Sequence, residues 1–225
     1  MSRKAVQHHA YEHIMSEVFR TGEESVLHEI IEYRLSELFT PYALDFQNDI
    51  DLETSLRSLQ LVKGSDAVKI IKCWVNGWVT SYRFHEEILH NCLLGCSGEP
   101  DSLQHYLVCP HCFAFNRFFV PCTSNAPLVR WGLIRPDKVI LQTISCTFTA
   151  YHALKAAVRR GEINPMQPSN RGNLLRRSWI VYAEAYSAEA GEIGLLVTNF
   201  SLPSFLHSIG AEVDSRSNTS CLEIT

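Results

Sequence analysis

The stretch Pro136–Arg160, PDKVILQTISCTFTAYHALKAAVRR, decides the fold class. Val139, Ile140, Thr143, Ile144, Thr147, Ala150, Tyr151, Leu154 and Val158 recur along it at helical spacing, so one side faces a core. Pro136-Asp137 introduces the helix, and it runs to about Arg160. A segment of this length with a helical period and no strand-like alternation sets the expectation of a mainly α chain.

Working outward, the same period returns in most of the remaining segments. Lys4 to Arg20 is a first candidate helix, with Tyr11, Ile14, Met15, Val18 and Phe19 along one side. Thr21 and Glu24 form a capping-box pattern that opens a second, in which Val26, Leu27, Ile30, Ile31, Leu35 and Leu38 recur until Pro41 stops it. Leu52 to Val62 is weaker. Ser65 has the chemistry of an N-cap for Asp66 to Trp78, with Val68, Ile71, Trp74, Val75 and Trp78 as the apolar face. Downstream, Gly161 to Gly172 holds two prolines, two asparagines and two glycines and reads as a loop. A last helix covers roughly Leu174 to Ala190, and a Ser/Thr/Asn-rich tail follows from Asp214. The expected organisation is an N-terminal helical region (1–64), a cysteine-rich segment with flanking helices (65–160), a C-terminal helical region (161–210) and a disordered tail (211–225).

The 225 residues are 46% apolar and 20% charged, enough to bury a sizeable core, and the formal net charge is −4. That charge excludes a surface built wholly to coat nucleic acid, so any polyanion site must be a local basic patch. Met1-Ser2-Arg3-Lys4 is not followed by an apolar run, and Ile193–Ile209 is interrupted by Asn199 and Pro203. Neither a secretory signal nor a membrane span is therefore expected. The eight cysteines then read as reduced thiols of an intracellular protein, nuclear or cytoplasmic, and metal binding is the leading use for clustered ones.

Four ligand-type residues fall within Cys92–Cys109: Cys92-x3-Cys96, eight residues, then His105-x3-Cys109. Three thiolates and one imidazole are a common tetrahedral zinc set, and with all four positions filled by protein the ion would be structural. Gly95 and Gly98 suit a tight metal-binding loop. Pro100-Asp101-Ser102 is a plausible helix start, after which His105 and Cys109 at i and i+4 would share one helix face. Cys112 or His111 could replace one of the four, although Pro110 breaks the helix between them and His105. The result expected is a small CCHC zinc knuckle embedded in a helical domain.

Other chemistry is thin. His85-Glu86-Glu87-Ile88-Leu89-His90 misses the HExxH pattern by one residue, so its histidines diverge around a helix, and a solvated helix end is the better reading. Asp49 and Asp51 suit a loop and helix cap, and His9 and His13 lack a third ligand. Cys73, Cys122, Cys146 and Cys221, taken singly, are ordinary core cysteines. Trp74, Trp78 and the run Phe113, Phe115, Phe118 and Phe119 are core by periodicity before they are base-stacking surfaces. No nucleophile elbow, phosphate loop or Rossmann fingerprint is present, so no enzyme and no small-molecule substrate is expected.

Asn76-Gly77-Trp78-Val79-Thr80-Ser81-Tyr82-Arg83, Cys92-Leu93-Leu94-Gly95-Cys96, Asp101-Ser102-Leu103-Gln104-His105-Tyr106 and Cys109-Pro110 together resemble a known pattern. It is the C-terminal segment that follows the polymerase in reverse transcriptases of non-LTR retrotransposons, especially divergent protist and algal copies. The resemblance covers about Lys72 to Arg160. It implies that Cys92, Cys96, His105 and Cys109 are the knuckle's ligands, that the knuckle contacts RNA or target DNA, and that Arg83 is a phosphate contact. No Asp-Asp pair and no polymerase-length region precede the knuckle, so the polymerase activity is not carried over.

The remaining basic residues extend this expectation. Lys155, Arg159 and Arg160 end one helix, and Arg171, Arg176 and Arg177 begin the next. If those ends meet, they make a positive edge, and Arg117, like Arg83, is a separate expected phosphate contact. The expected function is binding of RNA or single-stranded DNA by a zinc-stabilised protein without polymerase activity. The alternative is a helical protein–protein interaction module in which zinc only staples a loop.

Overall fold

The computed structural model describes residues 24–40, 50–120, 126–165 and 171–190. The first expected helix, Thr21 of the capping box, Pro41, His9, His13, Asp49, Cys122, Cys221, the stretch Ile193–Ile209 and the tail lie outside the described residues, as does the side chain of Phe119. The elements in chain order are α1 (Glu24–Phe39), α2 (Leu52–Ser58) with a 3-10 turn (Leu59–Leu61), α3 (Gly64–Trp74), α4 (Leu103–Val108), α5 (Pro110–Phe119), α6 (Pro127–Arg130), α7 (Lys138–Arg159) and α8 (Arg171–Ala190). Among the described residues there is no strand, only an isolated antiparallel bridge between Asn91 and Pro100. The chain is mainly α.

The central element is α7, which packs most extensively on α8 and α3 and also meets α5 and α6. Asp137 caps its start by accepting from the Ile140 N–H at 2.7 Å. Its end is a Schellman motif: Gly161, at φ +74°, donates to Val158 O and Glu162 donates to Ala157 O. Thr143, Ile144, Thr147, Ala150, Tyr151 and Leu154 are buried as the period requires, and Leu141 and Cys146, outside the expected face, are buried as well. Val139, expected inward, is 46% exposed: two residues before the fully buried Leu141, it points to the opposite side of the helix.

The expected start and end of α3 need correction. The helix opens at Gly64 with Lys63 at the cap position and no capping side chain, so Ser65 caps nothing. It stops at Trp74, four residues before its periodicity does. Asn76 adopts φ +54° and Gly77 N–H returns to Lys72 O, a C-terminal cap that turns the chain back on itself. Gly77 is needed for closeness, since a Cβ there would lie 2.9 Å from Lys72 O. The turn delivers Trp78 into the core, where it is fully buried against Tyr151 (ring centroids 4.4 Å apart) and Tyr106 (5.3 Å). Its indole N–H donates to Cys73 Sγ, and that of Trp74 to Trp131 O. Both tryptophans are therefore core, as their spacing implied.

In α1, Ile31, Leu35, Leu38 and Phe39 are buried while Ile30 is half-exposed. Asp51 caps α2, accepting from Thr54 N–H at 2.9 Å. Residues 85–90 form a turn, a bend and irregular chain where a solvated helix end was expected, with His85 at φ +48°. Within this stretch, Glu86 pairs with two cations of α7, described below.

Candidate metal centre

The loop 91–100 is closed by a short ladder in which Cys92 N–H donates to Glu99 O and Asp101 N–H to His90 O. Gly95 (φ +90°) and Gly98 (φ +75°) supply the left-handed backbone that brings Cys92 and Cys96 to the same side of the loop. After Pro100, Ser102 caps α4 by accepting from His105 N–H at 3.2 Å, which fixes where His105 projects.

Cys109 is not on the helix with His105, contrary to the i, i+4 expectation. Its backbone is extended (ψ 120°), because the residue before a proline is pushed out of the helical region. Cys109 instead caps α5, with Pro110 in the first turn and its own sulfur accepting from Cys112 N–H at 3.4 Å. The junction between two helices, and not one helix face, presents this ligand.

The four side chains nonetheless converge. All their ligand atoms lie within 4.8 Å of one another and all four residues are buried, so the cluster could hold one metal ion. The sulfurs of Cys96 and Cys109 are 3.5 Å apart and those of Cys92 and Cys109 are 3.9 Å apart. Tetrahedral zinc with bonds of ~2.3 Å would separate its sulfurs by ~3.8 Å. A disulfide would need ~2.05 Å, so these are free thiols.

His105 supplies a sharper test of fit. Its Nδ1 lies 3.3 Å from a carboxylate oxygen of Glu99. Its Nε2 is buried without a hydrogen-bond partner. A metal-binding imidazole has this arrangement, one nitrogen oriented by a carboxylate and the other kept for the ion. Leu94 N–H donates to Cys92 Sγ, which also favours a sulfur carrying negative charge. Hydrogen bonds from Cys109 and Cys92 hold the Cys96 thiol well below its usual range, while burial drives Cys109 up. Three sulfurs so close cannot all ionise unless a cation joins them.

The rival ligands are placed differently. Cys112 Sγ lies 3.5 Å from Tyr182 Oη and 3.7 Å from its donor Asn116 Nδ2. His111 Nδ1 is 2.6 Å from Leu94 O and 3.5 Å from Cys96 Sγ, beside the cluster.

Behind the centre lies a network that the sequence did not announce. Asp101 is fully buried and accepts from Ser81 N–H (2.8 Å), Tyr106 Oη (2.9 Å), Tyr151 Oη (3.1 Å) and Lys155 Nζ (3.0 Å). Lys155 is therefore core and not part of a surface edge; it also donates to Glu86 at 2.7 Å. Its position one turn beyond Tyr151, on the inward side of α7, was the available signal.

The expected phosphate contacts are scattered. Arg159 pairs with Glu86 at 3.1 Å. Arg160 and Arg177 share Glu162, so the end of α7 and the start of α8 do meet, with a carboxylate between them. Arg83 is exposed, donates to Trp78 O and lies over the Phe84 ring, while Arg117 lies over Phe113 and Arg176 is exposed. Among the described residues, no helix is long and apolar enough to cross a membrane. No protein-family model, curated protein or solved structure matches the chain.

Proposed function

We propose that this chain is a zinc-stapled helical module that binds RNA or single-stranded DNA and has no catalytic role. The observation that carries the zinc assignment is His105, with Nδ1 on Glu99, a buried Nε2 without a hydrogen-bond partner, and a ring nitrogen within 4.8 Å of three thiols. Three sulfurs and one imidazole are soft-to-borderline donors that suit Zn2+. They leave no position for a reactive water, so the ion would act by contributing folding energy to the 91–112 segment. In this reading the cluster is the CCHC knuckle expected from sequence, and its likeness to the segment after a retroelement polymerase is one of descent.

Binding is assigned to the turn that follows Trp78. Tyr82 (57% exposed) and Phe84 (52%) flank Arg83, for which no carboxylate partner is found among the described residues. Exposed aromatics interleaved with a cation suit stacked bases and a phosphate. The turn is fixed from behind by Ser81 on Asp101 and by Glu86 on Lys155. The test is retention of a single-stranded RNA oligonucleotide across a salt series. Tight binding at low salt that weakens steeply is expected, and no retention at any salt sinks this reading.

One observation favours a protein partner instead. Ile88 and Leu89 are also exposed in the same segment, and Glu86 and Glu162 offset three of the arginines. A partner recovered by pull-down after nuclease treatment, with no oligonucleotide retained, would establish that second reading.

A further inference from the structure

Arg130 ends α6 and is only 8% exposed, yet no carboxylate pairs with it among the described residues. Its Nη2 donates to Leu107 O at 2.8 Å, and its guanidinium carbon lies 5.0 Å from the centroid of the Phe113 ring. Its Nε is buried without a hydrogen-bond partner. Leu107 lies two residues before Cys109 and Phe113 directly follows Cys112, so the guanidinium is anchored at the α4–α5 junction that presents Cys109.

A buried cation needs a nearby anion, because taking it out of water is expensive. The cluster needs the reverse. A divalent ion with three thiolates and one neutral imidazole carries a net charge of −1, in a site whose four residues are all buried. One buried positive charge and one buried negative charge thus account for each other. On balance burial weakens Arg130's hold on its proton, and the sulfurs of Cys112 and Cys109 act in the opposite sense.

We propose that Arg130 is the counter-charge of the metal centre, a positioning residue that makes three ionised sulfurs affordable in a buried site and so sets the ion's affinity. This rests on the metal-binding reading above. Such a residue acts through its charge, whereas a purely structural Arg130 would act through its bond to Leu107 O.

The experiment measures Co2+ affinity by chelator competition at neutral pH for the full chain, R130K and R130M. Expected is one ion in the parent, roughly 10–100-fold weaker binding in R130M, and R130K close to the parent. The thiolate-to-cobalt absorption per bound ion should be the same in all three. R130M at parental affinity overturns the proposal while leaving the metal site standing, and so does R130K as weak as R130M. A parent that binds no Co2+ overturns both. If R130M is unfolded when purified, Co2+ is titrated while helical signal is followed; refolding at the parent's free-ion level then overturns the counter-charge.

Discussion

Lys155 Nζ lies 3.0 Å from Asp101 Oδ2, with both side chains buried, and this pair joins α7 to the residue just before the cap of α4, between the two pairs of cluster residues. The two partners do not depend on each other equally. Without Lys155, Asp101 keeps Ser81 N–H and two tyrosine hydroxyls, and Glu86 keeps Arg159. Without Asp101, those three donors and the ammonium lose their common acceptor. Asp101→Ala should therefore cost roughly 3–5 kcal/mol of unfolding free energy, and Lys155→Met less. Guanidinium denaturation of the two variants checks the order, and a larger loss in K155M contradicts it.

Stability should also fall between pH 6.5 and 4 through His152. Burial, and then Lys72 and Arg159, push its pKa down from 6.5 to about 4. The folded state thus holds the ring neutral where the unfolded chain would protonate it. A depressed base stabilises fully above the unfolded value, and its contribution is lost as pH drops below 6.5. At ~1.4 kcal/mol per unit, the whole window is worth about 3 kcal/mol. The ring lies against Phe148, with centroids 4.1 Å apart, so His152→Gln should keep much of the packing. Urea curves at pH 7 and pH 5 should show a smaller drop in H152Q than in the parent. Glu86, held below its usual range by hydrogen bonds from Lys155 and Arg159 that outweigh its burial, loses its contribution only at lower pH.

Substitution can separate the ligands from their neighbours. Cys92→Ser and Cys109→Ser should lose the bound ion and, with it, helical signal. Cys112→Ser should keep one equivalent, because its sulfur faces Tyr182 and Asn116. Glu99→Gln should weaken binding roughly 10–100-fold by loosening the orientation of His105. Metal analysis of each purified variant reads the outcome, and loss of the ion in C112S would move the ligand set.

The main helices were legible because α7 and α1 carry long runs of apolar residues at one period, and the Cys/His cluster because its four residues are close in sequence. What failed was local. The stop at Trp74 depends on Asn76 entering a positive-φ conformation, which an asparagine permits and does not announce. Cys109 left the helix because Pro110 follows it, a restriction visible in the sequence but outweighed there by the attraction of an i, i+4 pair. Lys155 was grouped with the surface arginines by charge, although its place beside Tyr151 and Leu154 put it on the buried side. Glu99 and Arg130 act across the fold, and neither has a periodic signature.

Partner binding gives the last test, because the candidate contacts differ in how free their charge is. Tyr82 and Phe84 are exposed and placed to stack, so Tyr82→Ala and Phe84→Ala should each cost about 1–3 kcal/mol of oligonucleotide affinity. Arg83→Ala should reduce the slope of log affinity against log salt by roughly 0.7, the value of one phosphate contact on a single strand. Arg159 already faces Glu86, and Arg160 and Arg177 share Glu162, so alanine at any of these should change the slope by less. Fluorescence anisotropy with a labelled single strand at several salt concentrations measures both quantities. If R159A and R160A flatten the slope more than R83A does, the binding surface lies at the α7–α8 edge and not on the turn after Trp78.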